Sequence, residues 1–310
     1  MAQLSGRTRG RALSRLATAA IAAALVGATA GTAVAAPAPP VPAPLKAAPA
    51  APRDAVHPTA AAPFFPLFAT KASGEVYTYE PNLQGGFGDR ERLQDTDSRG
   101  ITASVQVDLN QDGLMDGLYL RAADGSLFFS SAPENEHDES QPKLIGGGWN
   151  IYDLILSPGN LTGGGHADLI ARDKSGVLWL YQARQDGTLG DRVRIGRGWD
   201  IYTDIVGRGD LNGDGKTDIV AKDRDGVLWF YKGTGNINDP FASRVRVGGG
   251  WNAYDMLLST GDMNSDGRSD MLARDHDGVL WLYKGNGNQN DPFENRVRIG
   301  GGWGQYNSLF

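Results

Sequence analysis

Three long segments of this chain are near-copies of one another, and that repetition constrains the fold more than any other feature. DIVGRGDLNGDGKTDIVAKDRDGVLWFYKG (204–233) recurs as DMLLSTGDMNSDGRSDMLARDHDGVLWLYKG (255–285) and, worn, as DLILSPGNLTGGGHADLIARDKSGVLWLYQ (153–182). A fourth copy starts near Val105 and ends at Trp149. Trp149, Trp199, Trp251 and Trp303 close the copies at intervals of 50, 52 and 52 residues. A period of this size is the mark of an array or a propeller, whose units bury their faces only against neighbours.

Each copy reads as four short strands. In one, Asp204–Arg208 enters an Asp-rich loop and Asp218–Lys222 leaves it; Val227–Tyr231 follows a DRDG turn, and Arg244–Val247 follows a Gly/Asn-rich loop. Runs of Val, Ile, Trp and Tyr bounded by Asp-Gly and Gly-Asn are hairpin signals. No capped helical period of ten residues occurs between 64 and 310. Four strands per unit predict an all-β, five-bladed β-propeller.

The ends predict closure. PLFATKASGEVYTY (66–79) aligns with DIVAKDRDGVLWFY (218–231), so the first unit begins at its second strand. The residues after Trp303 match the start of a first strand and stop at Phe310. Pairing this C-terminal strand with the N-terminal blade completes the ring and hides two sheet edges. The expected units are 64–103 plus 304–310, 104–153, 154–204, 205–255 and 256–303.

Upstream of the propeller, Arg7, Arg9, Arg11 and Arg15 precede an uncharged run from Leu16 to Val34, and Ala33-Val34-Ala35 offers a small-x-small cleavage pattern. Residues 1–35 thus read as a signal peptide and the protein as secreted, with no stable membrane insertion after cleavage. Residues 36–63 are almost all Ala and Pro and read as a disordered linker. The chain has no cysteine, so an exported domain must rely on its core or on metal rather than on disulfides. Beyond the leader about 26 basic residues stand against 36 acidic ones, which excludes a basic patch for nucleic acid.

The surplus acid has a pattern. Asp210, Asn212, Asp214 and Asp218 hold positions 1, 3, 5 and 9 of a loop with Gly215 at position 6; Asp262, Asn264, Asp266, Asp270 and Asp108, Asn110, Asp112, Asp116 repeat it. With the position-7 carbonyls of Lys216, Arg268 and Leu114, these are hard oxygen donors suited to calcium. An EF-hand would need Glu at position 12, where Tyr119, Ala221 and Ala273 stand instead. The worn copy offers Asn160, Thr162, Gly164 and Asp168, so three structural calcium ions are expected. At a free concentration of about 1 mM and a Kd of about 0.1 mM, each would stabilise the fold by about 1.4 kcal/mol.

The D-x-N-x-D-G-x-x-D loop, VLW[LF]Y and the tail RV-x-[IV]-G-x-G-W resemble the FG-GAP/VCBS repeat family, the calcium-loop propeller repeats also found in integrin α-subunits. The tails LIGGGWNIY (144–152) and RVGGGWNAY (246–254) are also similar to those of tachylectin-type lectins, five-bladed propellers that bind N-acetylated sugars between blades. These resemblances imply a calcium-braced fold without naming a ligand.

Each tail joins a Trp to a Tyr three residues on: Trp149 and Tyr152, Trp199 and Tyr202, Trp251 and Tyr254, Trp303 and Tyr306. Asn150, Asp200 and Asn252 follow the first three tryptophans. An aromatic face beside an amide or carboxylate suits a sugar ring. The same Trp could instead plug the seam between blades, as Trp179, Trp229 and Trp281 are expected to fill the core. No nucleophile-and-base motif surrounds His57, His137, His166 or His276. The expected function is a non-catalytic binding module for an extracellular glycan or surface protein. The alternatives are a protein-interaction scaffold without a sugar site, or a propeller hydrolase or lyase working in the central channel.

Overall fold

A computed structural model describes residues 62–94, 96–132 and 141–310. The signal peptide, nearly all of the linker and His137 lie outside the described residues. The strands form five antiparallel sheets of four, one per repeat. Blade 2 holds β4 (Ile101–Val107), β5 (Gly117–Ala122), β6 (Leu127–Ser131) and β7 (Lys143–Gly146). Blade 3 holds β8 (Tyr152–Gly159), β9 (Asp168–Asp173), β10 (Leu178–Gln182) and β11 (Val193–Gly196). Blade 4 holds β12 (Tyr202–Val206), β13 (Ile219–Asp223), β14 (Leu228–Tyr231) and β15 (Val245–Gly248). Blade 5 holds β16 (Tyr254–Gly261), β17 (Asp270–Asp275), β18 (Leu280–Tyr283) and β19 (Val297–Gly300).

Blade 1 is composite. Its order is β20 (Ser308–Leu309), β1 (Leu67–Thr70), β2 (Val76–Pro81), β3 (Phe87–Arg92). Ala69 pairs with Leu309 and Thr70 with Ser308. Phe68 and Phe310 exchange both backbone hydrogen bonds (2.8 and 3.0 Å), and their rings stack at 5.4 Å. The C-terminal strand therefore completes the sheet that the N-terminal strand begins, and β1 is not left as an edge strand.

The second strands of the blades are nearly continuous buried runs, because both faces of a blade are covered by its neighbours, while the third strands alternate buried and half-buried positions. Leu169, Ile170, Ala171, Val220, Ala221, Leu272 and Ala273 are at most 1% exposed. One detail departs from the expected all-strand unit. Trp149–Ile151, Trp199–Ile201, Trp251–Ala253 and Trp303–Gln305 each form a single 3-10 turn between blades, entered through a left-handed glycine such as Gly250 (φ 90°). Three residues of helix are too few to leave a periodic signal.

The axis is plugged at the end where the Asp-rich loops lie. Phe64 N–H donates to Gly113 of blade 2, Phe65 N–H to Thr260 of blade 5, and Asp262 N–H to the Pro63 carbonyl. Arg208 of blade 4 stacks on Phe65 (4.3 Å to the ring centroid) and donates to the carbonyls of Gln106 in blade 2 and Ser259 in blade 5. Groups from three blades converge on Pro63–Phe65. Pro63, expected in the linker, is thus part of the hub.

Candidate functional site

The three acid-rich loops connect the first and second strands of blades 2, 4 and 5 with the same internal bonding. The position-9 carboxylate reaches back to the loop's start: Asp116 accepts from the Leu109 and Asn110 amides (2.7 and 3.0 Å), Asp218 from Leu211 and Asn212 (3.0 and 3.2 Å), Asp270 from Met263 (2.9 Å). The position-1 carboxylate accepts from the position-6 glycine, Gly113, Gly215 or Gly267, at 2.8, 2.6 and 2.8 Å. Those glycines stand at φ 85°, 80° and 86°, where a side chain would be strained. Position 5 accepts from the position-7 amides of Leu114, Lys216 and Arg268. The alternating polar residues thus wrap the chain around their own oxygens.

That wrapping crowds like charges. Burial, reinforced by Asp116 and Asp112, pushes the Asp108 carboxyl up to about 6. Burial likewise pushes Asp218 up to about 7, with Asp210 and Asp214 adding to it, and Asp270 up to about 7. Hydrogen bonds from loop amides oppose the shift without cancelling it. The Asp108 Oδ1 atom is buried with no hydrogen-bond partner among the described residues. Among the described residues no cluster of three or more His, Cys, Asp or Glu is gathered so as to hold a metal ion. In blade 4, Lys232 meets Asp214 at 2.8 Å and supplies a positive charge from the protein itself.

The worn loop of blade 3 is wired differently. Asp168, 1% exposed, accepts from the Thr162 amide, and burial pushes its carboxyl up to about 7. Gln182, in the register of Lys232, donates to the Thr162 hydroxyl (3.0 Å). A neutral contact of Gln182 thus stands where Lys232 makes an ion pair in blade 4. His166 is taken up by a hydrogen bond with the Leu109 carbonyl (2.8 Å).

The tryptophans of the tails lie in the seams. Trp149, Trp199, Trp251 and Trp303 are only 7–8% exposed. Each packs on a tyrosine from the third strand of the following blade: Tyr181, Tyr231 and Tyr283 at 4.8 Å between ring centroids, Tyr79 at 4.6 Å. Tyr152, Tyr202, Tyr254 and Tyr306 are also buried, and each pairs its hydroxyl with that same tyrosine. The aromatic faces that suited a sugar ring are covered by protein. Asn150, Asp200 and Asn252 remain on the exposed rim, each over the glycine of a DG or SG turn (Gly125, Gly176, Gly226) where a Cβ would collide with it.

Two sets of cations at the seams have no counterpart among the expected site residues. Arg121 and Arg172 each donate to two carbonyls of the following connector, Trp149 and Tyr152 or Trp199 and Tyr202. Arg274 does the same to Trp303 and Tyr306, and Lys222 donates to Tyr254. A charge at one register of a buried strand, repeated in four copies, was the available signal. The second set, Arg192, Arg244 and Arg296, stacks over Trp179, Trp229 and Trp281 at 4.0–4.2 Å, so those half-buried tryptophans are capped by cations rather than wholly enclosed.

Residues 160–221 and 210–273 each match the family model of the FG-GAP-like repeat. No curated protein matches the chain. Among solved structures, Prp20p from Saccharomyces cerevisiae, described with its binding to Gsp1p and histones, is similar at 13% identity and a TM-score of 0.38, over 76% of this chain and 61% of that one. A mutant of AofleA from Arthrobotrys oligospora is similar at 9% identity and a TM-score of 0.44, over 83% and 77%. The chain thus spans about three fifths of the length of the yeast protein. Residues 160–273 carry FG-GAP-like repeats, and the described residues build them into a closed five-bladed propeller.

Proposed function

We propose that this protein is a secreted, non-catalytic binding module, braced by calcium, that engages an extracellular glycan or surface ligand through its rim and seams. The observation that carries the brace is the buried carboxylate crowding in three equivalent loops. Carboxyls raised to about 6 or 7 by burial and by one another mark sites where a divalent cation would relieve the repulsion. The donor set fits calcium: Asp108, Asn110, Asp112 and Asp116, Asp210, Asn212, Asp214 and Asp218, and Asp262, Asn264, Asp266 and Asp270 offer carboxylate and amide oxygens with no His or Cys among them, and Asp108 Oδ1 has no partner among the described residues. The ion would supply positive charge to the hub; the loops would orient the oxygens and hold the hairpins.

The binding reading draws support from the repeated exposed rims of Asn150, Asp200 and Asn252 and from a repeat scaffold on which varied sites can be grafted. Thermal unfolding with calcium and with excess chelator tests the brace. Three sites predict a loss of about 4 kcal/mol on chelation, and an unchanged melting temperature would overturn it. A glycan array in calcium buffer tests the ligand class. Silence there together with capture of a surface protein would favour the scaffold reading.

A further inference from the structure

The four tryptophan seams are not equivalent, and only one combines a short loop with an unpaired arginine. Between blades 5 and 1 lies a cavity of about 490 Å³ lined by Asn82, Gln84, Phe87, Arg298, Ile299 and Trp303 together with Tyr79 and glycines. Its origin is a loop length. The loop between the third and fourth strands of blade 1 has five residues, Asn82 to Gly86, between the paired Pro81 and Phe87. The equivalent loops of blades 4 and 5 have seven, Thr234 to Pro240 and Asn286 to Pro292. Blade 3 also has a five-residue loop, Arg184 to Thr188, but Leu144 occupies the register of Arg298 at that seam.

The cavity's chemistry is one-sided. In a protein with 36 acidic residues against 30 basic ones, no Asp or Glu among the described residues lines it. Arg298 is exposed and makes no ion pair or hydrogen bond within the described residues, unlike the arginines that cap Trp179, Trp229 and Trp281. The Trp303 indole N–H also has no partner among the described residues, although the ring itself is packed between Tyr79 and Phe87. Amide donors come from Asn82, whose side-chain oxygen is held by the Gln84 and Gly86 amides, leaving its NH₂ group free to donate. Phe87 and Ile299 supply apolar surface.

We propose that this seam is a single binding site for an anionic saccharide unit, its carboxylate or sulfate held by Arg298 and its hydroxyls by Asn82 and Gln84. The assignment rests on the binding-module reading and narrows it from up to four equivalent seams to one. A guanidinium with no internal acid is matched by a ligand that brings its own negative charge, and the planar fork accepts carboxylate and sulfate alike. The volume falls in the range of small-ligand sites.

Calorimetric titration of the full chain in calcium buffer tests it, with three probes of equal length: an oligouronate, a sulfated oligosaccharide and a neutral one. One site per chain for a charged probe is expected, and the two charged arms decide which anion is the better fit. Arg298→Gln should weaken that binding roughly tenfold or more, while Arg246→Gln at the neighbouring seam leaves it unchanged. Because Arg298 bonds nothing among the described residues, its replacement should leave folding intact, and matching melting temperatures check that. Equal binding of the neutral probe, indifference to Arg298→Gln, or no binding of either charged probe would overturn the anion assignment. A neutral glycan that still bound would leave the binding-module reading standing.

Discussion

Replacing Trp199 by alanine separates a packing tryptophan from a ligand platform. The indole is 7% exposed and sits 4.8 Å from Tyr231, 5.7 Å from Tyr202 and 5.8 Å from Phe241, centroid to centroid. Removing it deletes the largest ring in the seam between blades 3 and 4. The backbone carbonyl of residue 199 and its bond from Arg172 stay in place. The loss is therefore that of a buried aromatic with incomplete collapse, about 3–5 kcal/mol. For a domain of about 250 residues each kcal/mol is worth about 2–4 °C, so the variant should melt roughly 6–20 °C lower. Differential scanning calorimetry in calcium buffer reads this directly. A variant melting within about 2 °C of the parent would refute the seam-plug reasoning. Loss of ligand binding by such a variant, with an unchanged melting temperature, would return the ring to the ligand.

Further outcomes follow from the same structure. Asp218 and Asp270 have folded-state carboxyls raised to about 7, well above the ordinary carboxylate range, so they favour folding fully only at low pH. In chelator the protein should lose stability as pH rises from about 4 through 7, and calcium should reverse that slope. Melting curves across this window check it, and a calcium-free protein that gains stability over the same window would contradict it. Arg172→Met strips two carbonyls, Trp199 and Tyr202, of their donor and leaves Asp153 unpaired, so denaturant titration should show a loss of roughly 2–4 kcal/mol. Deleting Ser308–Phe310 removes the partner of Leu67–Thr70, and hydrogen exchange at Phe68 and Thr70 should accelerate sharply, whereas unchanged protection there would speak against strand-closed blade 1.

The architecture was legible because its signals are local and repeated. Asp-Gly turns, VLW[LF]Y runs and Gly-rich tails recur in register, so each predicted strand of blade 4 lies within two residues of the observed one. Ring closure was readable from the matching fragments at 66–79 and 304–310. The fate of the tail tryptophans was not. An aromatic followed by Asn or Asp has the same sequence whether its face meets sugar or tyrosine, and only the 4.6–4.8 Å contacts across a seam decide between them. The cation pins were overlooked for a related reason. Arg172 and Lys222 look like solvated charges beside an Asp turn until the carbonyls of the next connector are placed against them.

The first blade shows why repetition alone could not describe the hub. Among the described residues, the seam between blades 1 and 2 lacks the other four seams' devices: Thr70 stands in the register of Arg172, and Ser130 in that of Tyr181. An apolar cluster of Phe65, Phe68, Val76, Leu93, Met115, Leu118 and Leu120 fills the space instead. Phe65 belongs both to that cluster and to the stack with Arg208, and the adjoining Pro63 and Phe64 bond to residues within the Asp-rich loops of blades 5 and 2. The strap that closes the irregular seam is therefore tied to two of the three acidic loops. Anything that tightens those loops also holds the strap against the one seam that has no tryptophan and no cation pin. The loops' place in the hub, more than their number, sets how much of the ring depends on them.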